Sequence, residues 1–223
     1  RCPIIGHKQR MSVKRTIGQR PKLSQLPYSA SAVAHPFCFL EFQKVVTLLG
    51  QGVGFEEIER RCVDENLFGL PKVYRAREIF RLVARRAAAL DEELLSLFGR
   101  LDVRGRKIIA LLTVIWTDRL FFEFLYEVYQ EKLLLGEREW TDGDFNRFIA
   151  AKRAQSPKVA QWSEATLRNL RKSYGAMISG AGLTRLDQKK RLITPVLIDP
   201  RIEGYLRGHS MLNILAALTG VRK

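Results

Sequence analysis

"KVYRAREIFRLVARR" covers residues 72–86 and holds six basic side chains against one acid, Glu78. On a helix of about 3.6 residues per turn, Ala76, Ile79, Phe80, Val83, Ala87 and Leu90 gather on one side. Arg77, Arg81 and Arg85 then form an i, i+4, i+8 row on the opposite side, while Arg75 and Arg86 flank the apolar stripe and Lys72 precedes it. A stripe of that period specifies an amphipathic helix with a clear core face.

The row is costly for a helix that only needs solubility. Like charges at i and i+4 destabilise an isolated helix by about 0.2–0.5 kcal/mol per pair. Arginine also suits phosphate, because its planar fork donates two hydrogen bonds at once. Residues 72–86 are therefore either a solvated face or a surface for a polyanion.

Working outward, helical signals continue in both directions. "HPFCFLEFQKVVTLL" (35–49) starts with Pro36 in a first-turn position and ends at the glycines of "GQGVG". "FEEIERRCVDENLF" (55–68) follows with acids in its first turn, which complement the helix dipole. The break "NLFGLP" then sets it against residues 72–90 in the order of a helix-turn-helix unit, whose second helix enters the major groove of DNA.

Downstream, "DEELLSLF" (91–98) predicts a short helix stopped by Gly99. "VRGRKIIALLTVIW" (103–116) and "RLFFEFLYEVYQEKLLL" (119–135) predict a strongly apolar central pair. "TDGDFNRFIAAKRA" (141–154) has Thr141 or Asp142 as N-cap and buries Phe145, Phe148 and Ile149. "SEATLRNLRKSYGAMISGAG" (163–182) stripes Leu167, Leu170, Tyr174, Met177 and Ile178. "RLDQKKRLITPVLI" (185–198) departs from the helical period and predicts a β-hairpin with a basic turn. "PRIEGYLRG" (200–208) and "MLNILAALTGV" (211–221) finish the chain.

The expected fold is all-α and multi-helix, with two small helical subdomains, helix-turn-helix-like units and one short β-hairpin. Residues 1–27 hold seven basic residues, no acid and no hydrophobic period, and read as a disordered basic arm. Residues 28–98 form the first helical domain. Residues 99–223 form the second, with the hairpin near 185–198.

Net charge is +15 over 223 residues, so about half of the excess lies beyond the arm, in the folded part. Such an excess favours nucleic acid as partner and, after it, an anionic membrane surface. A second basic surface comprises Arg168, Arg171 and Lys172 on one helix and Lys189, Lys190 and Arg191 in the hairpin turn. Helix followed by basic hairpin resembles a winged helix, although a solubilising charged turn explains it equally well.

No catalytic or metal signature is visible. "GQGVG" lacks the Lys-Ser or Lys-Thr of a phosphate-binding loop and follows a helix rather than a strand. His7, His35 and His209 are far apart, with no ligand partners at metal spacing. Glu123 and Glu127 share a helix face, with Arg119 four residues before Glu123 as a salt-bridge partner. The expectation is no enzyme and no cofactor.

Cys2, Cys38 and Cys62 show no paired spacing, and no apolar signal segment precedes them, so a reducing, cytoplasmic compartment is expected. The longest apolar run, residues 108–116, falls short of the ~20 residues that span a bilayer.

The ordered motifs "YSAS" (28–31), "DENLFG" (64–69), "ALDEELL" (89–95), "FEFLYEVYQEKLLLG" (122–136), "WSEATLRNLRK" (162–172), "GAGL" (180–183) and "PVLIDP" (195–200) together resemble the BrxA family of BREX bacteriophage-exclusion systems. The resemblance covers about residues 28–208. It implies a small, helical, non-enzymatic component of a phage-defence operon, linked to DNA binding and to a fold similar to NusB-type RNA-binding factors. It assigns no role to the arginine row.

Three functions follow. The leading one is an accessory protein that docks duplex DNA through arginine-rich helix faces. The others are a NusB-like RNA-binding protein and a scaffold for other BREX components.

Overall fold

The computed structural model describes residues 17–18, 20–34, 37–188 and 190–221. The helices are α1 (Phe39–Gly50), α2 (Phe55–Asp64), α3 (Val73–Ala87), α4 (Glu92–Arg100), α5 (Val103–Thr117) and α6 (Arg119–Phe124). A π turn, Leu125–Tyr129, carries α6 without a break into α7 (Gln130–Leu134). There follow α8 (Asp142–Gln155), α9 (Pro157–Ala160), α10 (Glu164–Gly180), α11 (Pro200–Gly208) and α12 (Leu212–Thr219). The expected all-α class with a short hairpin is the observed one.

Side-chain caps fix many of the starts. Asp91, Asp102, Asp118 and Ser163 each accept a hydrogen bond from a backbone N–H in the first turn that follows. Thr141, not Asp142, caps α8, and Asp144 reaches back to the Thr141 N–H in a full capping box. Breaks use left-handed backbone: Asn66 (φ 50°) and Gly69 (φ 68°) turn the chain before α3, and Gly182 (φ 87°) turns it after α10. Gly99 lies inside α4, which ends one residue later. Cys38, itself left-handed, precedes α1, and the expected first-turn Pro36 lies outside the described residues.

Helix α5 is apolar around its whole circumference and occupies the centre, with every residue from Ile108 to Trp116 buried. It packs against α1, α3, α4, α6 and α10. A single buried cluster runs from Ala32 to Leu218 and crosses residue 98 without a break. Within it Phe124 meets Trp140, Phe145, Phe148 and Tyr174 with ring centroids 5.2 to 5.8 Å apart.

The hairpin is β2 (Thr184–Asp187) with β3 (Lys190–Ile193), and it gains a third antiparallel strand, β1 (Glu139–Trp140), in the order β1-β3-β2. Arg191 stands opposite Trp140 on one side of β3 and Leu186 on the other. Residues 194–198, read as the end of the hairpin, are not strand. A two-residue strand such as β1 has no period to read.

Residues 20–27 differ from the arm expected there, because they form a strap across the body. The Arg20 Nη2 is 2.5 Å from Asp91 Oδ2, its Nε donates to the Ala89 carbonyl at 2.7 Å, and its guanidinium lies over Trp116. Residues 1–16 lie outside the described residues.

Candidate nucleic-acid interface

Helix α3 presents its two faces as the periodicity predicts. Ala76, Ile79, Phe80, Val83 and Ala87 are buried, and Arg77, Arg81 and Arg85 are exposed along the opposite side. Its connection to α2 is residues 65–72, eight residues, where the turn of a helix-turn-helix unit has about 3–4.

The arginines of α3 differ from those around them. On α2, Arg60 pairs with Glu57 and Glu65 at 2.8 and 2.9 Å, and Arg61 pairs with Glu57 at 2.8 Å. These pairs hold the Glu57 carboxyl down to about 2, chiefly through the Arg60 hydrogen bonds. Arg207 pairs with Glu203, and Arg153 with Glu164. Arg77 and Arg81 make no ion pair with any described residue. On the side of α3 toward Ala34, Arg75, Arg81 and Arg85 line a groove of about 460 Å3 floored by Ile79 and Leu82. Arg75 is partly neutralised by Glu78 at 3.0 Å, and Lys72 sits 5.9 Å from the exposed Tyr74 ring.

Arg86 corrects the sequence reading. It is 3% exposed and donates from Nη1 to the Phe37 carbonyl oxygen at 2.8 Å, so it is no surface contact. Burial lowers its pKa to about 10, which still leaves it charged. Its charge, with that of Arg85, acts on the buried Asp118 carboxylate. Burial dominates at Asp118 and pushes its pKa up to about 6, against the Phe121 N–H it caps and the two arginines.

The second basic surface divides. Arg168 and Lys172 are exposed one turn apart on α10 and make no ion pair with a described residue. Arg171 and Arg191 instead converge on Asp142, at 3.0 and 2.8 Å, and Arg191 also covers the Trp140 ring at 4.4 Å. Lys190 stands 3.9 Å from Glu139. Lys190 and Arg191 therefore open strand β3 rather than forming the turn, and Lys189 lies outside the described residues. The two tight arginine pairs staple α8, α10 and the sheet together, which places Arg171 and Arg191 in the framework.

The model of the BrxA family matches residues 26–210. The chain belongs to the BrxA family. A relative from Bacillus cereus (strain H3081.97), named BREX protein BrxA, is 35% identical over 180 residues, which cover 81% of this chain and 90% of the relative. Among solved structures, that of an uncharacterized protein from Magnetospirillum magneticum superposes with a TM-score of 0.73 at 17% identity, covering 87% of this chain and 99% of the other. At that identity the likeness is one of fold.

In this BrxA family member the Glu123–Glu127 pair is salt-linked through more partners than the helix spacing indicated. Arg119 reaches Glu123 at 2.7 Å, Tyr28 donates to it at 2.9 Å, and Lys152 from α8 bridges Glu123 at 2.7 Å and Glu127 at 2.5 Å. Lys152 is 3% exposed. Lys132, on the same continuous helix, pairs with Glu137 and Asp144. Among the described residues no group of three His, Cys, Asp or Glu could hold a metal ion, and no helix is long and apolar enough to cross a membrane. Sequence reasoning missed Arg20 and Lys152, since each finds its partners in a distant segment.

Proposed function

We propose that this BrxA family member is a non-enzymatic, cytoplasmic nucleic-acid-binding component of a BREX phage-defence system, docking duplex DNA through Arg77, Arg81 and Arg85. The observation that carries this reading is the contrast between α2 and α3. Arginines on α2 are consumed by neighbouring carboxylates, whereas Arg77 and Arg81 stand exposed and unpaired among the described residues, opposite a fully buried face.

Spaced four residues apart, the three arginine Cα atoms span about 12 Å of helix. They would meet successive phosphates of one strand, with Arg168 and Lys172 adding contacts elsewhere. The name of the Bacillus cereus relative supports placement in a BREX system alongside its other components. Engagement of Glu123 and Glu127 by two cations, Arg119 and Lys152, in three ion pairs supports a structural rather than catalytic role for that carboxylate pair.

The test is a titration of duplex DNA, single-stranded DNA and RNA of equal length at several salt concentrations. Duplex preference with a steep salt slope is expected, because each neutralised phosphate releases condensed counterions. Replacing Arg77, Arg81 and Arg85 together with Ala flattens the slope by about 0.9 per lost contact. An unchanged slope in a folded triple variant rules the row out.

A further inference from the structure

A cleft of about 770 Å3 lies on a different part of the molecule, between the strap, the α5–α6 junction and the corner joining α11 to α12. None of the α3 arginines lines it. One wall is apolar, with Phe122 and Met211 part-exposed, Trp116 and Ile214 buried and the Arg20 guanidinium over the Trp116 ring, and the rim carries Lys22 and His209. Lys22 is exposed and makes no ion pair with a described residue. His209 stacks on Tyr205 with ring centroids 4.1 Å apart, and its Nδ1 is 2.9 Å from the Tyr205 carbonyl oxygen. A carbonyl only accepts, so Nδ1 carries a proton, and Nε2 donates to a ligand oxygen when the ring is in its doubly protonated, imidazolium form.

Two further features mark the cleft as a place for oxyanions. Helix α12 opens on it without a side-chain cap, and the N–H groups of Leu212 and Asn213 have no hydrogen-bond partner among the described residues. Trp116, 3% exposed, forms part of the wall, and its indole N–H also has no acceptor. Buried donors nearly always find one. Glu123, the acid at the margin, does not oppose an anion, because its carboxylate is taken by Arg119, Lys152 and Tyr28.

A bare phosphate would leave most of this volume and the apolar wall unused. Clefts of this size take ligands with an apolar body and a few fixed polar contacts. We propose that the cleft binds a nucleotide, with its phosphate at the first turn of α12 between Lys22 and His209 and its base against the part-exposed side chains of Phe122 and Met211. The nucleotide is either a free mononucleotide or the phosphorylated end of a strand; the chemistry recognised is the same.

The experiment titrates the full chain with AMP, adenosine, inorganic phosphate, and short single strands bearing a 5′-phosphate or a 5′-hydroxyl, followed by equilibrium dialysis. AMP or the phosphorylated strand binds at least about tenfold more tightly than phosphate, adenosine or the unphosphorylated strand, as charge-assisted contacts and an apolar wall acting together require. Which of the two binds identifies the source. The double variant Lys22→Ala with His209→Phe, which keeps the stack on Tyr205, weakens that binding at least about tenfold. The Arg77, Arg81 and Arg85 triple variant leaves it unchanged, which separates this site from the α3 reading. Absence of binding up to millimolar ligand, phosphate binding as tightly as AMP, or a folded double variant that binds like the parent would each overturn the proposal.

Discussion

Arg85 and Arg86 are consecutive on α3, yet Arg85 faces solvent while Arg86 donates a 2.8 Å hydrogen bond to the carbonyl oxygen of Phe37, 49 residues away. The 100° between neighbours on a helix, set by about 3.6 residues per turn, carries one across the groove and the other into the packed interface with the segment before α1.

The two arginines should therefore fail differently. Arg86→Ala removes a charge-assisted bond to a buried carbonyl and costs about 1.5–3 kcal/mol, read as a lower urea midpoint. Arg85→Ala changes stability by no more than about 0.5 kcal/mol and instead lowers the salt slope of DNA binding.

Asp118 makes stability depend on pH in the sense opposite to most carboxylates. Burial raises its folded pKa from 3.8 to about 6, so the native state holds the proton more tightly than the unfolded chain. Its contribution is most favourable below pH 3.8 and declines as pH rises to about 6, by on the order of 3 kcal/mol at most. Asp118→Asn keeps an oxygen for the Phe121 N–H and removes this titration. Denaturant melts at pH 4 and pH 7 should show the variant gaining on the parent as pH rises.

Within the second basic surface, Arg168→Ala and Lys172→Ala should each lower the salt slope by up to about 0.9 while leaving the melting temperature in place. Arg191→Ala should do the reverse, because it removes the Asp142 pair and the cover over Trp140, with a loss of about 1 kcal/mol.

Lys152→Ala leaves Glu123 and Glu127 facing one another without their shared cation. Glu123 keeps Arg119 and Tyr28 and the Glu127 side chain reaches solvent, so the loss is about 1–3 kcal/mol. Adding Glu123→Gln and Glu127→Gln should restore part of that loss in the same thermal melt, since the stranded charges are then gone.

Gly180→Ala tests the packing of the 37–38 segment. A Cβ there would stand 2.8 Å from the Phe37 ring, so the ring must move, at a cost of about 1–3 kcal/mol. Pairing it with Phe37→Leu should relieve the clash, and thermal melts of the single and double variants measure the relief.

Much of the fold was legible because its signals are local. The 3.6-residue stripe of α3, the all-round apolarity of α5 and the cap before α8 depend only on residues within a few turns. β1 was not legible, because two residues gain strand geometry only from β3, whose partners lie about 50 positions on. The same limit governed the candidate contacts. Arg77, Arg81, Arg168 and Lys172 are as exposed as their polar positions indicated. Arg86, Arg171 and Arg191 occupy equally basic stretches and are taken by a carbonyl or a carboxylate.

The sequence by itself determined the class of fold, the core face of each long helix, the excess of positive charge and the family. Those properties follow from period and composition, which any window of the chain displays. Only the tertiary structure decided which cations remain available and that residues 20–27 form a strap held by Asp91 and Trp116. Charge is written in a single residue, but its neutralisation needs a partner brought within about 4 Å by packing, and packing joins segments that the chain keeps far apart.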